Sequence, residues 1–468
     1  MDALWKMGAA ALARAIAARE VSSAEVVDAH LARIAEVNPG LNAVVMVLDD
    51  AARKAAAAAD AALAAGHAPG PLHGVPFTVK ENIDMVGLPS TWGVKALAEA
   101  VSPVNAPGVE RMLAAGAIPI ARTNLPDMGL RVHTHSSLRG VTMNPWDRGR
   151  TPGGSSGGEA VALATGMSPI GLGNDIGGSL RNPANACGIA AIKPSLGRVP
   201  DASVVPAPDR LLAVQMMAVQ GPMARSVADV RLGLKVMEGP HPRDPIAVPT
   251  PPWRDDAPCR VAVMAEPPGA RTDPGVAGVV RAAAAALADA GYAVEEVAPP
   301  RFEELVENWA QLLGTDFATM QPLLQPMMGA DGFAFFEAFL EIWPALTEAA
   351  AFSHALVVRD SLARDWCTFM DRYPLILSPT WTQLPFAPGW DLGGAERARG
   401  VVHIMRPVLP ANLLGLPSAC VPAGRDGPSG MPVGVLLTGR RMRDDQCLDA
   451  ADAIEARLGV KTPIDPVA

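Results

Sequence analysis

Two serines stand in glycine-rich segments whose residue types could carry nucleophilic chemistry. The first segment reads Thr151-Pro-Gly-Gly-Ser155-Ser156-Gly-Gly-Glu159, and the second reads Asp175-Ile-Gly-Gly-Ser179-Leu-Arg181. Glycine tolerates positive φ angles and lets backbone N–H groups converge on one point, as an oxyanion hole or a phosphate cradle requires. Ser155 and Ser179 are therefore candidate nucleophiles, and a turn serine without a chemical role is the common alternative.

The first segment also fits two other kinds of site. A phosphate-binding loop is disfavoured because no Gly-Lys-Ser/Thr tripeptide occurs in the chain. The stretch Gly153–Gly157 matches the nucleophile elbow G-x-S-x-G, in which Ser155 would attack and a later histidine would be the base. An elbow needs a strand directly before it, and Arg148–Pro152 has no strand pattern. The histidines available to an elbow are His241, His354 and His403.

Ser156 has a separate local interpretation. Ser156-Gly-Gly-Glu159 matches a capping box, and the apolar run after it is typical of a helix. Ser156 is therefore predicted to cap that helix.

A lysine ends an early β-prone run of the chain. Gly74-Val75-Pro76-Phe77-Thr78-Val79-Lys80 predicts a short strand, and the polar residues after it indicate a loop. A lysine with its ordinary pKa near 10.4 is neutral about 0.04% of the time at pH 7, so it acts as a base only where burial lowers that pKa. By itself the pattern favours a surface lysine at a strand end.

The rest of the chain alternates between helical and strand patterns, which indicates an α/β layered fold. A capping box, Ser22 with Glu25, begins one predicted helix. Helices are predicted over 22–38, 49–66, 108–116, 276–290, much of 303–372, and from 444. Strands are predicted at 117–121, 261–264, 292–297, 375–377, 418–421 and 433–437. The proline-rich stretch 240–258 is either a linker or a surface crossing.

Composition limits the class of protein and its partners. The 468 residues are 49% hydrophobic and 19% charged, which is too apolar for a disordered chain. The net charge of −9, without a basic block, argues against nucleic acid or an anionic membrane as a partner. No apolar run is long enough for a membrane span, and the N-terminal residues predict an amphipathic helix and not a signal peptide.

Five widely spaced cysteines predict neither a disulfide framework nor a CxxC site, so a reducing, cytoplasmic location is expected. His133 and His135 are an isolated pair, and no metal or cofactor is expected.

The glycine-rich segments Gly153–Gly158 and Asp175–Ser179 resemble those of the amidase signature family of serine hydrolases, and the resemblance covers nearly the whole chain. Asn174 departs from the family pattern, in which Thr or Ser is usual, and Arg122 stands where Lys is common. The shorter motifs that support the resemblance are Val79-Lys80-Glu81-Asn82, Arg122-Thr123-Asn124-Leu125-Pro126, Asn144-Pro145-Trp146, Cys187-Gly188, Lys193-Pro194-Ser195 and Gly430-Met-Pro-Val-Gly434.

The resemblance implies one α/β/α domain over residues 1–468 around a mixed sheet of about eleven strands. The core signature would span about 74–200, and 240–258 would be a surface crossing. The resemblance also implies a Ser-cisSer-Lys triad in which Ser179 is the nucleophile, Ser155 the bridging serine and Lys80 the general base. The implied oxyanion hole consists of the backbone N–H groups of Ile176, Gly177, Gly178 and Ser179. The supporting residues are Ser156, Asp175 and Arg181.

The implied reaction is hydrolysis of the C–N bond of an amide through an acyl-enzyme on Ser179. Carbamates (urethanes) and esters are further substrate classes, because they pass through the same tetrahedral intermediate. The expected partner is a small amide or carbamate, and the chain is expected to be a monomer or homodimer. The alternatives are the amidotransferase subunit of a tRNA-dependent complex, against which Glu159 and Asn174 argue, and a catalytically silent binding protein.

In the amidase signature family the variable region corresponding to 303–372 supplies pocket walls, so an apolar or aromatic pocket is expected. A helical core is the alternative interpretation of the same aromatic residues. The predicted pocket residues are Phe317, Phe333, Phe336, Trp343 and Trp381.

Overall fold

The computed structural model describes residues 4–207, 209–252 and 258–467, which form fifteen α-helices and thirteen strands. The helices are α1 (Ala9–Ala17), α2 (Ser23–Val37), α3 (Asp49–Ala64), α4 (Pro107–Ala114), α5 (Gly157–Ala164), α6 (Arg181–Cys187), α7 (Leu212–Met217), α8 (Val227–Met237), α9 (Pro274–Asp289), α10 (Phe302–Leu324), α11 (Ala330–Ile342), α12 (Ala349–Arg372), α13 (Gly394–Met405), α14 (Leu409–Leu413) and α15 (Asp444–Leu458). The strands are β1 (Val44–Val47), β2 (Pro76–Lys80), β3 (Ile118–Thr123), β4 (His135–Ser136), β5 (Gly140–Val141), β6 (Ile170–Asp175), β7 (Ala190–Lys193), β8 (Val219–Ala224), β9 (Arg260–Val263), β10 (Ala293–Glu296), β11 (Leu375–Pro379), β12 (Ser418–Arg425) and β13 (Pro432–Gly439).

One mixed sheet of eleven strands runs through the protein in the order β1-β3-β2-β6-β8-β7-β12-β13-β11-β9-β10. β2 is parallel to its neighbours β3 and β6, and β6 is antiparallel to β8. The carboxyl ends of parallel strands lie at the same end of a sheet. The topology therefore brings Lys80, the last residue of β2, close to Asp175, the last residue of β6.

Helices cover both faces of this sheet. On β2, Phe77 and Val79 pack into one apolar cluster, which also contains side chains of α4 and α8. Successive strand side chains point to opposite faces, so Thr78 and Lys80 face the other side, where α5 lies. The protein is thus a single α/β domain with a mixed eleven-stranded sheet flanked by helices, and the predicted fold class is confirmed.

Local signals placed several elements correctly. The capping box predicted for the second helix is present, because Ser22 Oγ accepts from the Glu25 N–H at 3.1 Å and Glu25 Oε2 accepts from the Ser22 N–H at 2.8 Å. The aromatic region 303–372 forms the three helices α10, α11 and α12. The sequence did not predict β6 and β8, which lie beside the functional segments. Both are buried on two faces and contain glycine, so they lack the alternation that marks a half-exposed strand.

The proline-rich stretch is described in part, because residues 253–257 of the predicted 240–258 segment lie outside the described residues. In the described part, the Val248 N–H donates to the Gly197 carbonyl at 2.9 Å, and Asp244 Oδ1 accepts from the Ile246 N–H at 2.8 Å. The first bond holds the stretch against the segment that follows β7, and the second is a local turn within the stretch. Its status as a surface crossing stays a prediction.

A helix able to span a bilayer is absent from the described part of the chain.

Candidate active site

Lys80 ends β2 with its side chain fully buried. Its Nζ lies 2.6 Å from Ser155 Oγ and 2.7 Å from Asn174 Oδ1. Burial lowers the pKa of this amine to about 7, against the opposing effect of the Asp175 and Glu159 carboxylates. A solvated lysine is almost entirely protonated at neutral pH, whereas a lysine with this pKa is neutral about half of the time at pH 7. Lys80 can therefore accept a proton.

The loop before α5 presents Ser155 to this amine. The Gly154–Ser155 peptide bond is cis, and Ser155 is 2% exposed. Thr134 Oγ1 donates to the Gly153 carbonyl at 2.8 Å. A Cβ atom on Gly154 would lie 2.6 Å from the Arg131 carbonyl oxygen, so the neighbouring backbone leaves room only for glycine there.

Ser156 stands at the N-terminal cap position of α5, but the predicted capping box is wrong. Its side chain makes no cap hydrogen bond and instead has Oγ 3.5 Å from the Asn174 carbonyl oxygen. Glu159 cannot reach back to the cap, because its carboxylate accepts from the hydroxyl groups of Thr78 and Thr123 on β2 and β3. Burial raises the pKa of Glu159 to about 7, in opposition to these hydrogen bonds and to Lys80. Glu159, which the local pattern assigns to the helix end, is therefore hydrogen-bonded to the sheet instead.

Asp175 organises the second glycine-rich segment. Its carboxylate accepts from the N–H groups of Gly178 and Leu180 at 2.8 and 3.1 Å. Arg181 donates to both carboxylate oxygens at 3.0 Å, and Asn412 Nδ2 donates to Oδ1 at 2.9 Å. Burial favours the neutral acid, but the Arg181 charge and these hydrogen bonds outweigh it and hold the pKa of Asp175 at about 2. A permanent carboxylate thus fixes the shape of this loop.

The predicted oxyanion donors differ in whether their N–H groups already donate a hydrogen bond within the protein. The Gly178 N–H donates within the loop to Asp175, so it is already used, and Gly178 has a φ of 92°. Trp309 Nε1 donates to the Ile176 carbonyl at 3.1 Å, and a Cβ atom on Gly177 would lie 2.7 Å from the Trp309 ring. The N–H groups of Ile176, Gly177 and Ser179 remain the candidates for an oxyanion. Their role stays a prediction.

A cavity of about 570 Å³ contains both serines. Ser155, Ser179 and Asn174 belong to its lining, and the Ser156 N–H joins the two loops by donating to the Ser179 carbonyl at 3.2 Å. Ser179 is 8% exposed, so its hydroxyl is sheltered but reachable from the cavity. The apolar part of the lining includes Trp92, Leu97, Met128, Leu130, Val205, Leu211, Val214, Phe317, Met320, Leu323, Leu324 and Met327.

Of the five predicted pocket aromatics, all of which the structure describes, Phe317 alone lines this cavity. Phe333 and Phe336 pack on each other with ring centroids 5.8 Å apart, and Phe336 lies behind Phe317 at 5.6 Å. Trp343 packs against Phe339 at 4.8 Å in the helical core. The pocket prediction is corrected for these residues, because α10 and α11 turn their aromatic faces toward each other.

Trp381 also lies outside the cavity lining, but it contacts the second glycine-rich segment indirectly. Its ring stacks on Phe386 with centroids 5.7 Å apart, and its Nε1 donates to Asn182 Oδ1 at 2.8 Å. Asn182 Nδ2 in turn donates to the Gly177 carbonyl at 3.1 Å. Trp381 therefore supports a loop and does not form a pocket wall, which corrects its predicted place.

Several cavity residues come from segments that the sequence did not single out. Trp92 follows Ser90-Thr91 in a polar loop, and Met128 and Leu130 come from the turn after β3. Trp92, a large aromatic residue in a polar loop, was the one sequence signal that could have marked these segments as part of a pocket. The methionines and leucines carry no sequence signal that separates a pocket wall from a core.

The histidines do not support the elbow interpretation of Ser155. His241 Nε2 lies 3.0 Å from Glu110 Oε2, and His133 Nδ1 lies 3.0 Å from Thr151 Oγ1. Among the described residues, no histidine lines the cavity that contains Ser155. In the same part of the chain, no group of three His, Cys, Asp or Glu side chains could hold a metal ion.

The model of the family described as Amidase matches residues 25–448. The chain belongs to the amidase signature family. This amidase is 41% identical to the indoleacetamide hydrolase of Bradyrhizobium diazoefficiens, over 98% of this chain and 87% of that protein. It is 34% identical to a glutamyl-tRNA(Gln) amidotransferase subunit of Nocardia farcinica, over 98% of this chain and 99% of that protein. Its structure matches that of a bacterial aryl acylamidase with a TM-score of 0.82 at 27% identity, covering 96% of each chain.

The prediction of an amide hydrolase is thereby confirmed at the level of the reaction class. The family match covers both glycine-rich segments and the strand that ends at Lys80. The amidase is an amidohydrolase, and its substrate and the role of each residue are proposals.

Proposed function

We propose that the protein hydrolyses linear amides with an apolar or aromatic acyl group through an acyl-enzyme on Ser179. The observation that carries the proposal is the 2.6 Å contact between Lys80 Nζ and Ser155 Oγ, in a cavity that Ser155 shares with Ser179. A buried amine with a pKa of about 7 meets the requirement for a base at neutral pH. This contact supports a relay in which Lys80 is the base and Ser155 is the bridge.

In the first step, neutral Lys80 takes the proton of Ser155, and Ser155 takes the proton of Ser179. Ser179 Oγ forms a bond to the amide carbonyl carbon, and the π electrons of the C=O bond move to its oxygen. The N–H groups of Ile176, Gly177 and Ser179 stabilise this oxyanion.

The relay then runs in reverse. The proton on Lys80 passes through Ser155 to the amide nitrogen, the electron pair on the oxyanion re-forms the C=O bond, the C–N bond breaks, and the amine leaves. The acyl group remains as an ester on Ser179. Water attacks this ester in the same manner, its proton moving by Ser155 to Lys80, and the carboxylic acid is released as the proton returns to Ser179. Protons and electron pairs balance over the cycle without a metal or cofactor.

The lining supports an apolar acyl group. Apolar side chains make up the larger part of the cavity lining, and Phe317, Trp92 and the methionines offer flat or adaptable surfaces for a ring. The 41% identical relative is an indoleacetamide hydrolase, whose name indicates an aromatic acetamide substrate. We therefore place arylacetamides first, then anilides, with carbamates and esters as further substrates.

A fluorophosphonate probe together with a substrate panel tests this function. Wild-type protein is expected to label on serine and to hydrolyse an arylacetamide faster than acetamide. Ser179→Ala removes the nucleophile, so labelling disappears and kcat falls by a factor on the order of 10⁴–10⁶. Ser168→Ala is the matched control, because this buried serine donates to the Ile170 carbonyl at 2.7 Å outside the cavity lining. Labelling that survives in Ser179→Ala contradicts the assignment, and an unlabelled wild type supports a silent binding protein.

The role of an amidotransferase subunit is the second candidate function, favoured by the 34% identity to a protein of that name over nearly its whole length. That function predicts glutaminase activity that depends on a co-purifying partner. Hydrolysis of arylacetamides by the isolated chain, with no glutaminase activity, argues for the amidase function.

The proposed site of action is the cytoplasm, since none of the five cysteines, all of them among the described residues, forms a disulfide. A monomer or homodimer is the proposed state of assembly.

A further inference from the structure

Asn174 contacts the proposed base but has no place in the proton relay described above. It is the residue before the end of β6, and its Oδ1 accepts from Lys80 Nζ at 2.7 Å. Its Nδ2 donates to Asn82 Oδ1 at 3.0 Å. Asn82 therefore orients the Asn174 amide so that the nitrogen faces Asn82 and the oxygen faces Lys80.

The chemistry of a primary amine makes this orientation important. A neutral amine carries two N–H bonds and one lone pair, and the lone pair alone can take a proton. Rotation about the terminal C–N bond offers three staggered orientations. An amide oxygen can only accept, so Lys80 must turn an N–H toward Asn174. The lone pair is then available to Ser155 Oγ, 2.6 Å from the same nitrogen.

We propose that Asn174 is a positioning residue that holds the Lys80 amine with its lone pair directed at Ser155. The inference rests on the proposed function, because it takes Lys80 as the base. The amide oxygen of Asn174 differs from the hydroxyl group of the Thr or Ser usual at this position in the family, because it cannot donate to the lone pair.

The charges around Lys80 explain why an uncharged acceptor suits this position. Glu159 on α5 and the paired Asp175 on β6 both favour the ammonium form of Lys80. On β3, the Arg122 guanidinium donates to the Lys80 backbone carbonyl at 3.3 Å. A third carboxylate next to Nζ would keep the amine protonated at neutral pH. The Asn174 amide supplies an acceptor without adding that charge.

The test compares Asn174→Ala and Asn174→Asp with the wild type across the pH range. Two quantities are measured, the rate constant for fluorophosphonate labelling and kcat/KM for an arylacetamide. Asn174→Ala removes the acceptor, so the rate at the alkaline limit is expected to fall about tenfold, the value of one hydrogen bond to a charged or reacting group. The inflection also moves to lower pH, because the ammonium form loses an acceptor.

Asn174→Asp separates positioning from a merely structural role. The aspartate keeps the shape and the acceptor but adds a negative charge next to Nζ, so the inflection is expected to rise by about one to three pH units. At the alkaline limit the rate returns to within about threefold of the wild type. Asn105→Asp is the matched control, since its Oδ1 accepts from the Val86 N–H and it lies outside the cavity lining. This control adds the same charge and should leave the inflection unchanged.

An inflection that stays in place in Asn174→Asp overturns the proposal. An equal loss of rate at every pH in both Asn174 variants also overturns it, because that result describes a structural residue. If the wild type itself neither labels nor hydrolyses amides, the proposed function fails, and the positioning role fails with it. The wild-type measurement therefore distinguishes the two failures.

Discussion

Replacing the bridging serine is the sharpest test of the relay. Ser155→Ala removes the hydroxyl group that lies 2.6 Å from Lys80 Nζ and leaves the base and the nucleophile in place. A positioned proton-transfer group contributes about 10²–10⁴ in rate, so kcat/KM for an anilide is expected to fall by that factor. An activated aryl ester with the same acyl group needs little protonation of its leaving group. Its turnover is therefore expected to fall by about 10–10², since only activation of the nucleophile is impaired.

The assay measures kcat/KM for one p-nitroanilide and its matched p-nitrophenyl ester in wild type, Ser155→Ala and Ser168→Ala. The expected result is a ratio of amide to ester turnover that falls at least tenfold in Ser155→Ala and stays unchanged in Ser168→Ala, together with slow fluorophosphonate labelling of Ser155→Ala. An equal loss for both substrates would refute the reasoning, because it would remove the bridge from protonation of the leaving group. Complete loss of labelling in Ser155→Ala, with labelling kept in Ser179→Ala, would make Ser155 the nucleophile.

Three further outcomes are expected. The value of kcat/KM should rise with pH through an inflection near 7, because the neutral Lys80 amine is the active form, and pH-rate profiles of Lys80→Ala should lack this inflection. Arg181→Ala leaves the buried Asp175 carboxylate without its ion pair, so urea denaturation should show a free energy of unfolding lower by about 3–5 kcal/mol; a change below about 1 kcal/mol would contradict this. Phe317→Ala enlarges the cavity, so KM for an arylacetamide should rise about tenfold while that for acetamide changes little, and equal changes would place Phe317 outside the acyl site.

Helices and strands were predictable where a short stretch of sequence carries a strong local signal, even for a strand that is buried on both faces, such as β2. The helix begun by Ser22 and the strand that ends at Lys80 have clear local signals, namely a capping box and a β-prone run. β6 and β8 were not predicted because their apolar residues are interrupted by Gly171 and Gly173 in β6 and by Gly221 and Pro222 in β8, residue types that are uncommon in strands. These two strands hold Asn174 and its neighbours, which explains why the contact between Asn174 and Lys80 could not be predicted.

The candidate site shows the same division between local and distant causes. Glycines around Ser155 and Ser179 mark loops that need unusual backbone angles or close backbone approach. Both requirements can be predicted from the residue types alone. The hydrogen-bond partners of Glu159 could not be predicted in this way. Its carboxylate could accept either from the N-terminal end of its own helix or from two threonines on β2 and β3. It accepts from the two threonines, because the assembled sheet places their hydroxyl groups next to the buried acid.

The sequence by itself therefore determined the candidate nucleophile, bridge and base, the α/β class and the family. Tertiary structure decided that the Lys80 amine is buried beside Ser155, which lowers its pKa to about 7. It also decided that Phe317 faces the cavity while Phe333, Phe336 and Trp343 face the packed helices. The physical reason is that residue type and short spacing determine backbone preference, whereas burial and side-chain partners depend on segments far apart in the chain.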